Sequence, residues 1–322
     1  MEYESEKYLS TKETAHNTLK EFGVSIIPNI LDEKEIVAMN NGIWSFLEEI
    51  TSTFKSPIKK EDTSTWREFY NLFPIHSMLL QHFGIGHAQH IWDIRQNPKV
   101  AEVFAHLWKV PSEELLVSFD GSSFHLPPEE TKRGWYKNNK WLHSDQSFTR
   151  NKLECIQGWV TGYNVNEHDA SLTVLEGSHN LHKEFREHFK VTEKKDWFKI
   201  NEEQTEFYIK KGCKQKIIKC PAGSLVLWDS RTIHSGIECN KKRKKSNFRN
   251  VVYVCMTPRR LADSVQLKKK RKAFTDLRTT SHWPHKISLF PKSPRTYGKA
   301  LPTLKAISPP VVTKLGKKLA GF

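Results

Sequence analysis

The chain has 322 residues, of which 37% are hydrophobic and 11% aromatic, which is enough apolar material for a sizeable core and argues against a disordered protein. Its formal net charge of +15 raises the expectation of an anionic partner such as a nucleic acid, a phosphate or an acidic lipid, although a lysine-rich surface explains it equally well. Five cysteines without CxxC or CxxH spacing argue against a disulfide framework and a zinc knuckle.

Residues 1–16 are polar and carry acidic side chains, and we expect them to form a loose arm. Their composition argues against a signal or transit peptide. No apolar run in the chain approaches the ~20 residues that a membrane-spanning helix needs. The expectation is therefore an intracellular, cytoplasmic protein in a reducing compartment.

Residues 18–50 are predicted to form a helix, a short strand, a turn and an amphipathic helix. Asp32 is a candidate N-cap of this last helix, because its side chain can accept hydrogen bonds from the first turn. The apolar stripe of the helix consists of Ile36, Met39, Ile43 and Leu47. Residues 86–108 are also predicted to be helical, with Pro98 in a first turn.

From about residue 115 the sequence changes to short β-rich segments separated by turn residues, such as "SLTVLEGSH", "SLVLWDS" and "RNVVYVCMTP". Helices followed by many short strands predict a mainly β fold, a sandwich or jelly roll with helices packed outside it. We expect a single domain over residues 17–300, with its β-core at about 115–258. The basic residues 301–322 are predicted to form a C-terminal tail.

The stretch "KWLHSDQSF", residues 140–148, places His143 and Asp145 two positions apart. Alternate residues of a β-strand point to the same face, so the imidazole and the carboxylate would project together. The pair alone is weak evidence of a site, because His-x-Asp arises by chance in many chains.

A third candidate ligand lies in "CPAGSLVLWDSRTIHSGIEC", residues 220–239, which reads as a turn, a strand and a polar loop ending at His234. An ordinary loop histidine is the alternative. In a sandwich, however, the distance along the chain is long enough to bring His234 back to His143 and Asp145. Two histidines and one carboxylate form the facial triad of non-haem Fe(II) oxygenases, which leaves metal positions open for a 2-oxo acid and dioxygen.

Arg249 begins the strand "RNVVYVCMTP" soon after His234. A 2-oxo acid that chelates iron has a far carboxylate in need of a cation, and the planar guanidinium can bind it through two hydrogen bonds. The alternative is a surface arginine that continues the basic run before it.

The order of these motifs resembles the phytanoyl-CoA dioxygenase family, Fe(II)- and 2-oxoglutarate-dependent oxygenases built on a double-stranded β-helix, a cupin-like jelly roll. The motifs are H-x-D, a tryptophan-bearing strand, "LEGSH", "PAGSLVLWDSRTIHSG" and an arginine-led strand, and "EFGVSIIPNILDEKEI" resembles the family's N-terminal segment. The resemblance covers about residues 20–258 and is strongest over 141–258.

The resemblance implies roles for individual residues. Arg249 would pair with the distal carboxylate of 2-oxoglutarate, and Trp159 would line the cofactor or substrate pocket. The iron ligands would be His143, Asp145 and His234.

This chain departs from the family pattern in two places. Many members have a serine two residues after the distal histidine, where this chain has Gly236. Ser235 lies one residue before that position and is a candidate cofactor-binding residue. The loop that leads to Arg249 is also longer than usual.

The expected reaction converts 2-oxoglutarate and O2 to succinate and CO2 while a substrate C–H bond is hydroxylated. Halogenating relatives lack the carboxylate at the position of Asp145, so its presence favours hydroxylation or a hydroxylation-driven demethylation. Two alternatives stay open, a nucleic-acid-modifying oxygenase and a non-catalytic binding protein on the same fold.

Two basic clusters, residues 241–245 and 268–272, have three interpretations. The first is a solvated surface and the second is a nuclear localisation signal. The third is a patch that binds an anionic substrate such as a CoA- or phosphate-linked molecule. No RNA-recognition or helix-turn-helix signature supports a nucleic-acid partner, and the sequence predicts no oligomeric state.

The loops around these motifs hold further candidates. Gln146 and Arg150 are candidates for the pocket or its rim. Asp229 and Arg231 are expected to orient the loop before the distal histidine, and His179 is interpreted as a turn and packing residue.

Overall fold

The computed structural model describes residues 2–135 and 141–322. Within these ranges the strands are β1 (Glu2–Glu4), β2 (Val24–Ile27), β3 (Leu79–Leu80), β4 (Leu115–Val117), β5 (Ser122–His125), β6 (His143–Ser144), β7 (Ile156–Thr161), β8 (Ser171–Glu176), β9 (Phe198–Lys199), β10 (Lys214–Ile218), β11 (Leu225–Asp229), β12 (His234–Ile237) and β13 (Arg249–Pro258). The α-helices are α1 (Ala15–Phe22), α2 (Glu33–Ile50), α3 (Gln89–Arg95), α4 (Pro98–Trp108), α5 (Pro128–Thr131), α6 (His182–His188), α7 (Glu202–Lys210), α8 (Ser264–Thr275) and α9 (Lys314–Leu319). Short 3-10 helices cover Glu6–Tyr8, Thr63–Leu72, Ile85–His87, Ser112–Glu114, Ser178–Leu181 and Arg259–Leu261.

The strands form two sheets, and the named strands pair antiparallel except for β1 with β10. The smaller sheet has the order β1-β10-β8-β12-β6-β9, and the larger has β2-β11-β7-β13-β5-β3 with β4 beside β13. The two sheets do not close into a barrel. The predicted mainly β jelly roll with packed helices is confirmed.

Two apolar clusters lie on the two faces of the larger sheet. Trp159 and Val251 pack with Leu172 and Val174 of the smaller sheet, so one cluster lies between the sheets. Val252 belongs to the other cluster, in which α2, α3 and α4 cover the outer face. The period of two along a strand assigns neighbouring residues of β13 to opposite faces, and polar residues between the sheets therefore need a specific reason to be there.

The predicted N-terminal elements are confirmed with one refinement. Asp32 caps α2, because its carboxylate accepts a hydrogen bond from the backbone N–H of Glu35 at 3.0 Å. The predicted helix over residues 86–108 is two helices, since Asn97 caps α4 and Pro98 occupies its first turn. Of the helices in the described ranges, none combines the length and the apolarity that a membrane crossing requires.

The prediction of a loose arm over residues 1–16 is wrong for the part that the structure describes. Strand β1 pairs with β10, and Leu9 forms a bridge to Ile26. Tyr8 is fully buried and its hydroxyl donates to Glu176. Edge pairing uses backbone groups, so a polar segment joins a sheet without the apolar alternation that would reveal it in the sequence.

The predicted basic C-terminal tail over residues 301–322 ends in a helix, α9, that docks on the core. Leu319 and Ala320 are buried, and α9 packs against β4 and the 3-10 helix that precedes it. The lysines of α9 dominate its composition, and the few apolar residues that dock it are too sparse to form a recognisable stripe. The single domain expected over residues 17–300 stays a prediction.

Candidate metal centre

His143, Asp145 and His234 meet at one end of the smaller sheet. Strands β6 and β12 pair with His143 directly opposite His234, and Asp145 follows β6. The carboxylate of Asp145 places Oδ1 3.5 Å from Nε2 of His143 and Oδ2 3.2 Å from Nε2 of His234. One ligand atom from each residue lies within 4.8 Å of the others, which is close enough for all three to share one ion.

The backbone fixes the two imidazoles in the tautomer that a metal needs. Nδ1 of His143 lies 3.1 Å from the carbonyl oxygen of Trp141, and Nδ1 of His234 lies 2.9 Å from that of Thr232. A carbonyl oxygen only accepts, so each Nδ1 carries the proton and each Nε2 presents a lone pair toward Asp145. Such outer hydrogen bonds orient metal-binding histidines.

The protonation states also suit a metal. Burial raises the pKa of Asp145, yet the surrounding imidazoles, that of His143 first, hold it well below its ordinary value. Burial lowers the pKa of His234, and the nearby His143 lowers it further. At neutral pH the site therefore offers a carboxylate and a neutral imidazole, the forms that ligate metals.

Gln157 of β7 is a partner of the triad that the sequence analysis missed. Its side-chain amide donates to Oδ2 of Asp145 at 2.9 Å. Alternate residues of a strand share a face, and both Gln157 and Trp159 of β7 line the cavity beside the triad. The position of Gln157, two residues before Trp159 on the same predicted strand, could therefore have identified it in the sequence.

Gln146 is a structural residue of the loop after the triad strand. It is fully buried, donates to the carbonyl oxygens of Arg150 and Lys152 at 2.7 Å each, and accepts from the hydroxyl of Ser230 at 2.8 Å. Arg150 itself is partly exposed and pairs with Asp196, which places it at the rim. Neither of these two pocket candidates lines the cavity.

The loop before His234 is held by the pair that the sequence analysis expected there. Arg231 donates to both carboxylate oxygens of Asp229, at 2.9 and 2.6 Å, and to the carbonyl oxygen of Asn151 at 2.7 Å. His179 lies outside the triad cavity, with Nε2 3.0 Å from the carbonyl oxygen of Lys20.

Arg249 lies in the same cavity as the triad and is 4% exposed. Its side chain contacts the hydroxyl of Ser123 at 3.4 Å and the carbonyl oxygen of Ala170 at 3.2 Å. It forms no ion pair within the described residues, and burial lowers its pKa. A buried guanidinium without a carboxylate partner is costly, so the arrangement is suited to an anionic ligand.

Trp159 and Tyr253 complete this part of the cavity. The Arg249 guanidinium lies 5.2 Å from the centre of the Trp159 ring, and Trp159 is fully buried. Tyr253 lies four positions after Arg249 on β13 and therefore shares its face; burial raises the pKa of its hydroxyl. Tyr253 was missed, although this spacing could have revealed it.

Ser235 does not join the site. It follows His234 on β12 and points to the opposite face, and it does not line the cavity. The next residue that faces the cavity is Gly236, whose carbonyl oxygen accepts a hydrogen bond from the indole of Trp141 at 3.0 Å. A Cβ at Gly236 would lie 3.3 Å from Met78 and 3.4 Å from Trp141, so the departure from serine makes room for this packing.

The family model of phytanoyl-CoA dioxygenase (PhyH) matches residues 19–243. The chain belongs to this family. Fe(II), 2-oxoglutarate and O2 are the cofactor and co-substrates of phytanoyl-CoA dioxygenase-type oxygenases, and two imidazoles with one carboxylate are a donor set that suits Fe(II). The buried Arg249, which lacks an acidic partner in the described residues, fits the free carboxylate of 2-oxoglutarate.

Three known proteins are similar to this phytanoyl-CoA dioxygenase family chain. Ava biosynthesis cluster protein O of Aspergillus versicolor is 28% identical over 247 residues, which cover 74% of this chain and 76% of that protein. Hypothetical protein JW0805 from Escherichia coli has a TM-score of 0.61 at 12% identity, over 98% of this chain and 85% of that one. GIG2 from Candida albicans has a TM-score of 0.55 at 15% identity, over 82% and 67%. The two solved structures share the fold.

The basic clusters of this family member are not uniformly solvated. Within 241–245, the side chain of Arg243 is 2% exposed and pairs with Glu129 and Asp169. Within 268–272, Lys270 is 1% exposed and donates to the carbonyl oxygen of Val117. Neither cluster lines the triad cavity.

Proposed function

We propose that this protein is an Fe(II)- and 2-oxoglutarate-dependent dioxygenase that hydroxylates a C–H bond of a small molecule and releases succinate and CO2. The observation that carries the proposal is one cavity, of about 550 Å³, lined by both the His143–Asp145–His234 triad and Arg249. The volume is typical of a small-molecule site.

The triad would hold Fe(II) through two imidazoles and one carboxylate. When bound, the iron would supply the activation of O2 that couples decarboxylation of 2-oxoglutarate to oxidation of the substrate. Gln157 keeps the carboxylate of Asp145 oriented through its 2.9 Å hydrogen bond. Preorganised ligands of this kind avoid reorganisation when the metal and co-substrate bind.

Arg249 would bind the distal carboxylate of 2-oxoglutarate, with Trp159 beneath the guanidinium and Tyr253 beside it. In this water-poor setting the ion pair is stronger than at the surface, because the dielectric constant is low. Arg249 therefore selects a co-substrate with two carboxylates over one that carries only the chelating end.

Hydroxylation is the outcome we propose, because Asp145 fills the metal position that halogenating relatives leave open. A small-molecule substrate is supported by the similarity to a protein named for a biosynthesis cluster. A CoA- or phosphate-linked substrate and a nucleic acid are less well supported, since both basic clusters lie outside the cavity lining and contain buried residues.

We propose a cytoplasmic location for this activity. The five cysteines are free and buried, which suits a reducing compartment. A nuclear signal at 268–272 would need accessible lysines, and Lys270 lies on the buried face of α8.

The test is iron-dependent conversion of 2-oxoglutarate to succinate by the full-length protein with ascorbate. We expect succinate release that is lost in Asp145→Ala and retained in Ser235→Ala, which alters a neighbour of His234 on the opposite face. Equal release by the wild type and Asp145→Ala, or loss of release in Ser235→Ala, would overturn the proposal.

A further inference from the structure

One wall of the triad cavity comes from a segment beyond the residues that match the family model. Ser281, His282 and Trp283 all line the cavity. Oγ of Ser281, Nε2 of His282 and Nε1 of Trp283 are buried without a hydrogen-bond partner in the residues that the structure describes. Buried polar groups are normally paired, so three adjacent unpaired ones at the cavity wall are candidate contacts for a ligand.

The indole of Trp283 carries the clearest information about that ligand. It is 4% exposed, and an indole N–H can donate but cannot accept. Its ring is fixed by two cations, with Lys286 Nζ 4.5 Å and the Arg150 guanidinium 5.7 Å from the ring centre. A rigidly held, unsatisfied donor calls for an acceptor oxygen on the substrate.

Trp197 supplies a second indole to the same cavity. It is 53% exposed, which is unusual for so large an apolar side chain, and its φ of 67° lies in the left-handed region. Such a backbone conformation is strained in a non-glycine residue, and strained residues of this kind occur at ligand-binding sites. Its ring centre lies 5.6 Å from that of His143.

A single ionic network connects the two indoles. Arg150 pairs with Asp196, which directly precedes Trp197, and with Glu154 at 2.9 Å. Glu154 also pairs with Lys286 at 2.8 Å, and Lys286 and Arg150 are the cations that lie over Trp283. The network therefore holds both aromatic walls in place before a substrate arrives.

The charges of the cavity favour a neutral substrate. Lys286 is paired with Glu154, and Arg249 is committed to the co-substrate if the proposed function holds. Asp196 also lines the cavity, and it is itself paired with Arg150. An acidic substrate would therefore lack a free cation among the described lining residues.

We propose that the substrate is a neutral, flat small molecule that stacks against Trp197 and accepts a hydrogen bond from the Trp283 N–H through a carbonyl or hydroxyl oxygen. This assignment rests on the proposed function, because it takes the cavity to be the substrate site of the iron enzyme. Trp197 and Trp283 are specificity-determining residues of that site.

The experiment uses equilibrium dialysis of the full-length protein loaded anaerobically with Fe(II) and 2-oxoglutarate. The probes are chromone, a flat bicyclic ketone, naphthalene, which has a similar shape and no acceptor, and coenzyme A. We expect chromone to bind about tenfold more tightly than naphthalene, the effect of one hydrogen bond to a buried donor, and coenzyme A to bind more weakly than both.

Variants separate the two contacts. Trp283→Phe should bring the chromone and naphthalene affinities to within about twofold, and Trp197→Ala should weaken both probes alike by about tenfold. Trp108→Phe is the matched control, because the Trp108 indole donates to Met256 outside the cavity, and it should keep the preference for chromone. The exposed position of Trp197 makes its variant informative even if Trp283→Phe fails to fold.

Equal binding of chromone and naphthalene by the wild type, a preference retained in Trp283→Phe, or unchanged binding in Trp197→Ala would overturn the inference. Tighter binding of coenzyme A would point to an anionic substrate and overturn it as well. The visible absorption band of the Fe(II)–2-oxoglutarate chelate, recorded on the same samples, distinguishes this from failure of the proposed function, in which the band itself would be missing.

Discussion

Arg95 and Arg249 are both buried arginines, and their surroundings differ in one respect. Arg95 is fully buried and donates to the carbonyl oxygens of Gly86 at 2.8 Å, Asp120 at 2.7 Å and Tyr253 at 3.1 Å. Arg249 is 4% exposed, and its hydrogen bonds to Ser123 and to the carbonyl oxygen of Ala170 are longer, at 3.4 and 3.2 Å. Neither forms an ion pair within residues 2–135 and 141–322. Arg95 uses its donors to hold the fold, whereas Arg249 keeps donors available in a cavity.

Spare hydrogen-bond donors distinguish a ligand-binding polar group from a structural one inside the same core. A buried charge whose donors all meet backbone carbonyls is part of the architecture. A buried charge with spare donors and a cavity in front of it is arranged for a partner that is not part of the chain. The same distinction separates Gln146, which is fully bonded, from Trp283.

Arg95→Met should have the largest effect, and it should be on stability. The change leaves the carbonyl oxygens of Gly86, Asp120 and Tyr253 without their donor, at a cost of about 3 kcal/mol in the free energy of unfolding. Urea denaturation measures this, and the affinity of the folded fraction for 2-oxoglutarate should not change. A loss of affinity without a loss of stability would reverse the roles assigned to the two arginines.

Arg249→Met should give the complementary result. We expect the Kd for 2-oxoglutarate to rise about 100-fold, since a desolvated charge pair is lost, while the free protein becomes no less stable. Anaerobic titration calorimetry with Fe(II) present measures the affinity, and urea denaturation measures the stability. A destabilised protein with unchanged affinity would show that Arg249 is structural.

Low pH should destabilise the protein through α3, the helix that contains Arg95. Burial lowers the pKa of His90 in α3 to about 3, below its unfolded value of 6.5. The unfolded state therefore binds the proton first, so stability is full above about pH 6.5 and falls as the pH drops toward 3. Between pH 7 and pH 5, His90 should contribute about 2 kcal/mol of this loss.

The matching variant is His90→Leu, which removes the titrating group from a buried position. The difference in unfolding free energy between pH 7 and pH 5 should be smaller in His90→Leu than in the wild type by about that amount. An identical pH dependence would show that His90 is not the source.

Gln157→Leu should have the smallest effect. The variant removes the amide that orients Asp145, and we expect the affinity for Fe(II) to fall about tenfold while the fold is kept. Competition with a colorimetric chelator measures it. An unchanged affinity would mean that the two imidazoles alone orient the carboxylate.

The sequence made His143 and Asp145 candidates through their spacing, and His234 and Arg249 through their positions after and at the start of predicted strands. The role of Trp159 came from the family resemblance. The sequence did not predict Ser281, His282 and Trp283, which lie after the last strand and reach the cavity only through tertiary packing. Ser235 was misplaced because spacing alone did not show that β12 already begins at His234. The docked N-terminal strand was missed because backbone pairing leaves no pattern in side chains.

We propose that His143, Asp145 and His234 hold an iron to which 2-oxoglutarate binds beside Arg249. The most direct test is anaerobic addition of Fe(II) and then 2-oxoglutarate to the purified protein, with the visible charge-transfer band of the chelate as the readout. We predict a band in the wild type and in Ser235→Ala, a weaker one in Arg249→Met at the same 2-oxoglutarate concentration, and none in Asp145→Ala. A wild-type protein that binds iron without developing the band, or an Asp145→Ala variant with an undiminished band, would contradict the account.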